Sequence, residues 1–431
     1  MSTEYSVKIK SSSVDILPKG WLKVPFEYMA ENISVHIEPD ETDLEVYVGL
    51  EHLDSDSLRI KRWGTPDDVI GIKLHVWPGD IIFGKRRAYQ RKVAVANFEA
   101  ICSAHSMVLR ARPKNVVPEF LPFFMQSEEF AQRAVAISEG SLSPTIKWKT
   151  LAQQEFIIPP KDEQRRIADM LWAAEDCIVK NEKLVDETEF YNKILMKELF
   201  TKGIAHKEFK NTEIGKIPKE WGVVKLKELA NKITDGTHIT PTYVNTGIPF
   251  LRITDIQSPS IDWVNTKHIP LMEHLELTKR CKPEKGDVLL SKNGTVGITK
   301  VIDWEKEFSI FVSLCLIKPK HDLVNNYYLA HYLRSEGLEQ IRLRGKQMTV
   351  TNLHLVEINE LLIPLPPLPE QKKIVEILFK ADDTLQRVKD NINKIKNLKK
   401  MLINQFLNDG LKTTVSINPQ AIQLYETQAS E

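Results

Sequence analysis

EFIIPPKDEQRRIADML (155–171) and PLPPLPEQKKIVEIL (364–378) are the same stretch met twice in one chain. In both, a Pro-rich stop precedes a Glu-Gln pair, and Glu163-Gln164 lies 207 residues before Glu370-Gln371. After each stop the pattern is helical, without Gly or Pro, from about Asp162 to Lys202 and from about Glu370 to Asp409. Apolar residues recur in alternating steps of four and three: Ile167, Leu171, Ala174, Ile178, Asn181, Val185, Thr188, Asn192, Leu195, Leu199. The positions 207 residues further on read Ile374, Leu378, Ala381, Leu385, Val388, Ile392, Ile395, Lys399, Leu402, Phe406. This is the coiled-coil spacing. About 40 residues at a rise of 1.5 Å make rods of roughly 60 Å. Each stripe needs a partner, and the nearest is the other copy. An antiparallel pair would place two globular parts at opposite ends of a rod. Asn181, Asn192 and Lys399 interrupt the stripes; they either fix register at some expense of stability or sit where the pair splays or meets solvent.

The duplication extends outward from the helices. PKGWLKVPFEYMA (18–30) matches PKEWGVVKLKELA (218–230), with Trp21 and Trp221 at a shift of 200. WPGDIIFGK (77–85) matches EKGDVLLSK (284–292), aligning Asp80 with Asp287 and Lys85 with Lys292 at a shift of 207. Three matches in one order at a nearly constant shift mean an internal repeat. Ahead of each long helix, short β-type runs are punctuated by Pro, Gly, Asn and Asp. In the first copy they are Asp40 to Leu50, Ile70 to Trp77 and Asp80 to Phe83. In the second they are Ile248 to Ile253, Asp287 to Leu290 and Ile310 to Ile317. One helix follows in each, Glu119 to Ile137 and Asn326 to Leu343. The expected class is α+β: two mixed domains joined by two long helices in an antiparallel coiled coil. The boundaries fall at 1–159 and 211–366 for the globular domains, 160–210 and 367–410 for the helices, and 411–431 for a polar tail.

Composition narrows the class. Of 431 residues, 42% are hydrophobic and 27% charged, as in an ordinary globular protein. No run of about 18 apolar residues marks a membrane span. MSTEYSVKIKSSSVDILP (1–18) has no apolar core of a signal peptide, so the cytoplasm is the default. Cys102, Cys177, Cys281 and Cys315 lie far apart and read as reduced thiols. A balance of 59 Lys+Arg against 58 Asp+Glu excludes a protein that coats nucleic acid by charge alone, but not local basic patches.

Catalytic constellations are missing. Gly345-Lys346 is followed by Gln347 and lacks the upstream glycine of a phosphate-binding loop. There is no HExxH, no zinc-finger pair of cysteines and no GxSxG elbow. Cys102 and His105 stand together but alone, and read as a core thiol and a satisfied histidine. PDDVIGIK (66–73) lacks the second acid of a nuclease cluster and reads as a loop entering a strand; NGTVG (293–297) reads as a loop.

Basic loops remain. GKRRAYQRK (84–92) supplies Lys85, Arg86, Arg87, Tyr89, Gln90, Arg91 and Lys92. IRLRGKQ (341–347) supplies Arg342, Arg344, Lys346 and Gln347, while Lys292-Asn293 stands at the repeat-equivalent of Lys85. Such residues suit DNA: Lys and Arg neutralise phosphates, and Arg, Asn and Gln make bidentate contacts to base edges. The alternative is a solvated charged face. Against it, Lys85 and Lys292 follow the same Gly-Asp turn, beyond which the two copies diverge, as reading two different half-sites requires.

The chain resembles the specificity subunits of type I restriction-modification systems over nearly its whole length. The resemblance rests on PKEW, DGTHITPTYVNTGIPFLRITDI (235–256), GDVLLSKNGTVG (286–297) and LLIPLPPLPEQKKIVEIL (361–378). It implies two target-recognition domains, each reading one half of a split asymmetric double-stranded DNA site, with the helices as a ruler for the unread spacer. It implies a non-catalytic chain without its own cofactor. Two adenine-N6 methyltransferase subunits carry S-adenosylmethionine, and restriction subunits use ATP and Mg. Thr237, His238, Arg252, Lys292, Asn293 and Thr295 match the family's motif positions, with Arg252 and Asp255 also suited to holding loops. The first copy lacks the DGTH and FLRxxDI strings and has YVGLEHLDSDSLRI (47–60) and GSLSPTIKW (140–148) instead, which marks another subclass. Two other readings compete: a duplicated coiled-coil adaptor that grips proteins, and a recognition fragment split from a single-chain restriction-methyltransferase. The tail TTVSINPQAIQLYETQASE (413–431) is polar, and either disordered or docked on the N-terminal arm.

Overall fold

The computed structural model describes residues 17–258, 260–344 and 353–409; the N-terminal arm, the polar tail, Lys346 and Gln347 lie outside the described residues. The chain forms two compact units of mixed helix and sheet. The first holds the described residues up to Lys183 and those from Lys389 on; the second is Leu184–Val388. Each unit therefore takes its own part of both long helices, Lys161–Lys202 and Leu368–Asn404.

The duplication is a duplication of topology. In the first unit a four-stranded antiparallel sheet runs in the order Ala30–Ile33, Ser106–Ala111, Ile81–Gly84, Val93–Val95. The second unit repeats it as Ala230–Asp235, Leu314–Pro319, Val288–Ser291, Thr299–Val301. A smaller sheet accompanies each, and each contains one parallel pair: Tyr47–Val48 with Ala100–Cys102, and Ile248–Leu251 with Ser309–Ile310. YVGL (47–50) thus occupies the position that FLRI (250–253) has in the second copy, although the strings differ.

The short apolar runs are buried on both faces, and strand period explains where each residue goes. Ile81 and Phe83 face one way, into a core with Phe26, Phe124, Phe130, Ile167, Leu171 and Leu402. Ile82 faces the other, toward Val48, Val76 and Cys102 of the smaller sheet. In the second unit Val288 and Leu290 join Trp221, Phe200, Tyr328 and Ile374, while Leu289 meets Leu251, Ile310 and Leu316.

The repeated strings have identifiable work. PKGW and PKEW are tight turns in which the Trp21 and Trp221 amides donate to the Pro18 and Pro218 carbonyls at 3.0 and 3.1 Å. Gln164 and Gln371 are buried tethers at the helix starts. Gln164 Oε1 accepts from the Val117 amide at 2.8 Å and its Nε2 donates to Pro159 O at 2.8 Å. Gln371 Oε1 accepts from the Asn325 amide at 2.7 Å and its Nε2 donates to Pro366 O at 2.8 Å.

Several expectations need correction. The run from Asp40 to Leu50 is strand only at Tyr47–Val48, because Pro39 opens a 3-10 turn over Pro39–Glu41. Ile70 to Trp77 narrows to Lys73–Val76. Ile310 to Ile317 divides between Ser309–Ile310 and Leu314–Pro319, in different sheets. The helix over Glu119 to Ile137 breaks at extended Ser127, whose hydroxyl caps Glu128–Ala136 by accepting from the Phe130 amide at 3.2 Å. Its counterpart breaks at Ser335, between Asn326–Arg334 and Glu336–Arg344.

The polar stripe positions divide. In the second unit Asn192 Nδ2 donates across to Ala381 O of the other helix at 3.2 Å, whereas in the first Asn181 Nδ2 turns back to Cys177 O of its own helix at 2.8 Å. In the first unit Lys399 is buried against Glu175 of the other helix. Within each unit the contacts run in opposite chain directions, Glu175 with Lys399 and Glu182 with Lys396 in one, Asn192 with Ala381 and the Ile204 amide with Glu370 in the other.

Candidate nucleic-acid interface

Asp80 and Asp287 begin each site from the same turn. Asp80 accepts from the Trp77 amide at 3.0 Å and is clamped by Arg110 at 2.7 and 2.9 Å. Asp287 accepts from the Glu284 amide at 2.9 Å and from Lys318 Nζ at 2.6 Å. Each turn launches the strand, Ile81–Gly84 or Val288–Ser291, that Lys85 or Lys292 directly follows.

Beyond Gly84 in the first unit the chain makes a compact loop closed by the Gly84 amide donating to Lys92 O at 2.9 Å. Arg87 and Arg91 both lie in the left-handed region, at φ 58° and 52°, bracketing a 3-10 turn over Ala88–Gln90. Such backbone is strained for a side-chain-bearing residue, of order 1–3 kcal/mol each, and collects at functional positions. Arg91 grips Glu128 through two bonds of 2.7 and 2.8 Å, and Lys92 donates to Leu50 O at 2.5 Å. Those two cations hold the loop. Arg86 instead meets the His105 ring at 3.0 Å and Ser143 Oγ at 3.2 Å, and Arg87 meets Ser143 Oγ at 3.4 Å. Burial, then Arg86, Lys85 and Lys73, push the His105 pKa down; the neutral ring can accept from Arg86. Lys85 is half-buried, its Nζ without a hydrogen-bond partner among the described residues, and burial lowers its pKa. Tyr89 is exposed and Gln90 half-buried.

The second unit gathers its residues around a buried carboxylate. Asp235 receives Arg280 at 3.1 Å, Lys292 at 3.2 Å and His238 at 3.2 Å. Burial would raise its pKa, but the bonds from Arg280 and Lys292 outweigh this and hold it below the usual range. Lys292 is itself buried, while Thr295 and the His238 side chain reach the surface. Thr237 Oγ1 accepts from the Ile239 amide at 3.2 Å and shapes the turn. Gly236 is forced here: a Cβ would lie 2.1 Å from Ile310 O. Asn293 Oδ1 is buried without a hydrogen-bond partner among the described residues. Arg252 is bound by Asp255, both guanidinium bonds at 3.1 Å, and that carboxylate also accepts the Arg252 amide at 2.7 Å. In the first unit His52 takes the same capping role, its ring accepting from the Gly49 amide at 3.0 Å. His238 and Lys292 therefore converge on Asp235, while the Thr237 hydroxyl bonds Ile239 in the turn beside them; Asn293 and Thr295 continue from Lys292, and Arg252 is committed to its own turn. Arg342 and Arg344 lie on the helix Glu336–Arg344.

Arg280, which also donates to the Asp235 and Gly236 carbonyls at 2.8 and 2.5 Å, escaped sequence reasoning because it ends a helix, Leu271–Arg280, outside the repeated strings. Ser143 escaped because the first copy's strings have no twin. Cys102 is a buried thiol with its pKa pushed up to about 12 by burial, and its neighbour His105 belongs to the basic loop.

The duplicated scaffold thus presents two dissimilar loops from the same turn. The chain matches the type I restriction modification DNA specificity domain over residues 73–189 and 218–397, and it belongs to that family. It is 26% identical over 318 residues to the type I restriction enzyme MjaVIII specificity subunit of Methanocaldococcus jannaschii, covering 71% of this chain and 74% of that one. It is 22% identical to the EcoKI specificity subunit of Escherichia coli K12, covering 90% and 88%. Among solved structures, a chain from a study of complex assembly and conformational transition of the type I R-M system superposes with a TM-score of 0.59 at 21% identity, covering 90% of this chain and 98% of that one. The S subunit from M. genitalium gives a TM-score of 0.52 at 14% identity, covering 94% and 99%. These two likenesses concern the fold. The chain is a DNA-specificity subunit of a type I restriction-modification system, and is not itself an enzyme.

Proposed function

We propose that this subunit reads a bipartite, asymmetric double-stranded DNA site, one half with residues 1–159 and the other with residues 211–366. The observation that carries this reading is the shared Asp80 and Asp287 turn, from which two dissimilar cationic loops emerge. In the first, Lys85, Arg86, Arg87, Tyr89 and Gln90 face DNA, with Arg91 and Lys92 as anchors. In the second, His238, Asn293 and Thr295 face DNA on a frame of Thr237, Arg252, Lys292 and Asp235, joined by Arg342, Arg344, Lys346 and Gln347. The segments 160–210 and 367–410 pair as an antiparallel coiled coil and set the spacer; the opposed contacts inside each unit support this. Two methyltransferase subunits dock on the chain and bring S-adenosylmethionine, and restriction subunits bring ATP and Mg. The setting is the cytoplasm; no described helix is long and apolar enough to cross a membrane.

Long-read mapping of N6-methyladenine, in cells expressing the partner methyltransferase with and without this chain, tests the reading. A split asymmetric motif dependent on this chain is expected. Methylation at the same sites in its absence would overturn it.

A further inference from the structure

We infer that Leu142, at the tip of the loop 140–144, contacts a base of the first half-site, reading a thymine methyl group beside a phosphate clamp made by Arg86 and Arg87. This rests on the DNA-reading function proposed above.

The loop is built onto the basic segment rather than merely near it. Glu139 and Thr145 close it with reciprocal backbone bonds of 3.0 and 2.9 Å. The Arg87 amide donates to Pro144 O at 2.7 Å, and the Ile146 amide donates to Lys85 O at 3.0 Å. Gly140, at φ 108°, makes the entry possible. Ser143 Oγ then receives one bond from each guanidinium, at 3.2 and 3.4 Å. Neither guanidinium meets a carboxylate among the described residues. The loop's own acid, Glu139, is paired with Lys147 at 2.6 Å. Two adjacent planar cations held by a hydroxyl and an imidazole, with donors to spare, form an anion site of the kind that takes a phosphate.

On this rigid, cationic support the chain places a leucine that is 92% exposed. Folding gains almost nothing from it, because it buries very little area in the free protein. A phosphate seated on Arg86 and Arg87 would bring the adjacent groove to the loop tip. An apolar side chain carried there meets the one apolar feature of the major-groove edge, the thymine methyl. Phosphate contacts position and base contacts specify, and here the two roles fall on two segments pinned together by backbone. Ser143 is a positioning residue, since it orients the clamp relative to the tip.

The experiment uses the full chain with its methyltransferase subunits and compares N6-methyladenine maps for the parent, Leu142→Ala and the double variant Arg86→Ala, Arg87→Ala. An exposed leucine can be shortened without unfolding, which a thermal melt of the variant verifies. Leu142→Ala is expected to keep the second half-site and the spacer, and to relax one A·T position of the first half-site by about ten-fold. The double variant is expected to lower occupancy without relaxing any position. An unchanged motif with unchanged selectivity in Leu142→Ala overturns the inference. So does uniform loss of methylation accompanied by loss of the methyltransferase on co-purification, which would make the tip a protein contact. Absence of any bipartite motif with the parent chain would overturn the DNA-reading function itself, and the Leu142 role with it.

Discussion

Glu175 and Lys399 form an ion pair of 2.6 Å inside the first unit, with side chains 1% and 5% exposed. Glu175 also accepts from Ser57 Oγ at 2.6 Å and from the Leu58 amide at 2.9 Å, and Lys399 donates to Asp56 O at 2.9 Å. One buried pair thus ties two long helices to a loop of the sheet-bearing part. The positions 207 residues away are differently used: Asn192 replaces Lys399, and Asp382, in the place of Glu175, pairs with Arg334.

Removing one charge leaves the other buried and unpaired. Glu175→Gln is expected to cost about 3–5 kcal/mol in denaturant unfolding of the full chain, and Glu175→Gln with Lys399→Met less than that. Burial raises the Glu175 pKa, but Lys399 and the bonds from Ser57 and Leu58 outweigh it, so the carboxyl titrates below its ordinary 4.5. Its contribution is fully present above pH 4.5 and disappears as pH falls through the depressed value. The double variant should show a shallower loss of stability with acid below pH 4.5 than the parent; equal slopes would sink the assignment.

His331 gives a second titration, of opposite chemistry. It is buried, its Nδ1 lies 2.7 Å from Arg334, and burial followed by Arg334 lowers its pKa from 6.5 to about 4. The neutral ring is the folded form, so the unfolded chain binds the extra proton as pH falls. Stability is complete above pH 6.5 and is lost progressively toward pH 4. In His331→Asn, which keeps an acceptor for Arg334 but does not titrate, the pH dependence across that window should flatten in a chemical-denaturation series.

The two kinds of arginine in the first loop should separate by salt. Each phosphate contact contributes about −0.9 to the slope of log affinity against log salt. Arg86→Ala and Arg87→Ala are each expected to flatten that slope by roughly one unit. Arg91→Ala, which frees Glu128, is expected to leave the slope nearly unchanged and to lower stability by under about 1 kcal/mol. Fluorescence anisotropy of a cognate duplex over a salt series measures the first effect and thermal unfolding the second.

The ruler is tested by length. Insertion of one heptad after Lys183, with a matching heptad near Asn391, adds about 10 Å of helix. The methylated motif should keep both half-sites and gain roughly three base pairs of spacer. The original spacer in the recovered motif would remove the ruler.

The long helices and the duplication were legible because both are written as periods, one of seven residues and one of 207. Gln164 and Gln371 showed as a repeated Glu-Gln, though their role as tethers needed the backbone groups they meet. Strand limits were less legible. A strand buried on both faces loses the alternation that would mark its ends, and Ile310 to Ile317 read as one run where the chain changes sheets at residues 311–313. The equivalence of Gly49–His52 with Arg252–Asp255 was hidden for another reason: a histidine ring and a carboxylate cap the same turn, so geometry persists while the string does not. Site residues were legible as types but not as roles. Arg91 and Arg86 look alike in GKRRAYQRK, and only the positions of Glu128 and Ser143 separate an anchor from an open cation.

Leu22–Pro25 pairs with Glu155–Ile158, and Gly222–Lys225 with Leu362–Leu365, each in a two-stranded ladder of its own. The chain therefore enters and leaves each sheet-bearing part through one doorway, immediately beside the proline stop that starts a long helix. Everything between Phe26 and Gln154 is an insert hung on that doorway, as is everything between Leu226 and Leu361. An insert with adjacent ends can be traded whole for another, provided the newcomer offers the long helices the buried partners that Ser57, Leu58 and Val117 offer here. The economical way for this protein to acquire a new DNA target is accordingly to exchange a cassette at the ladder, rather than to accumulate substitutions in a loop.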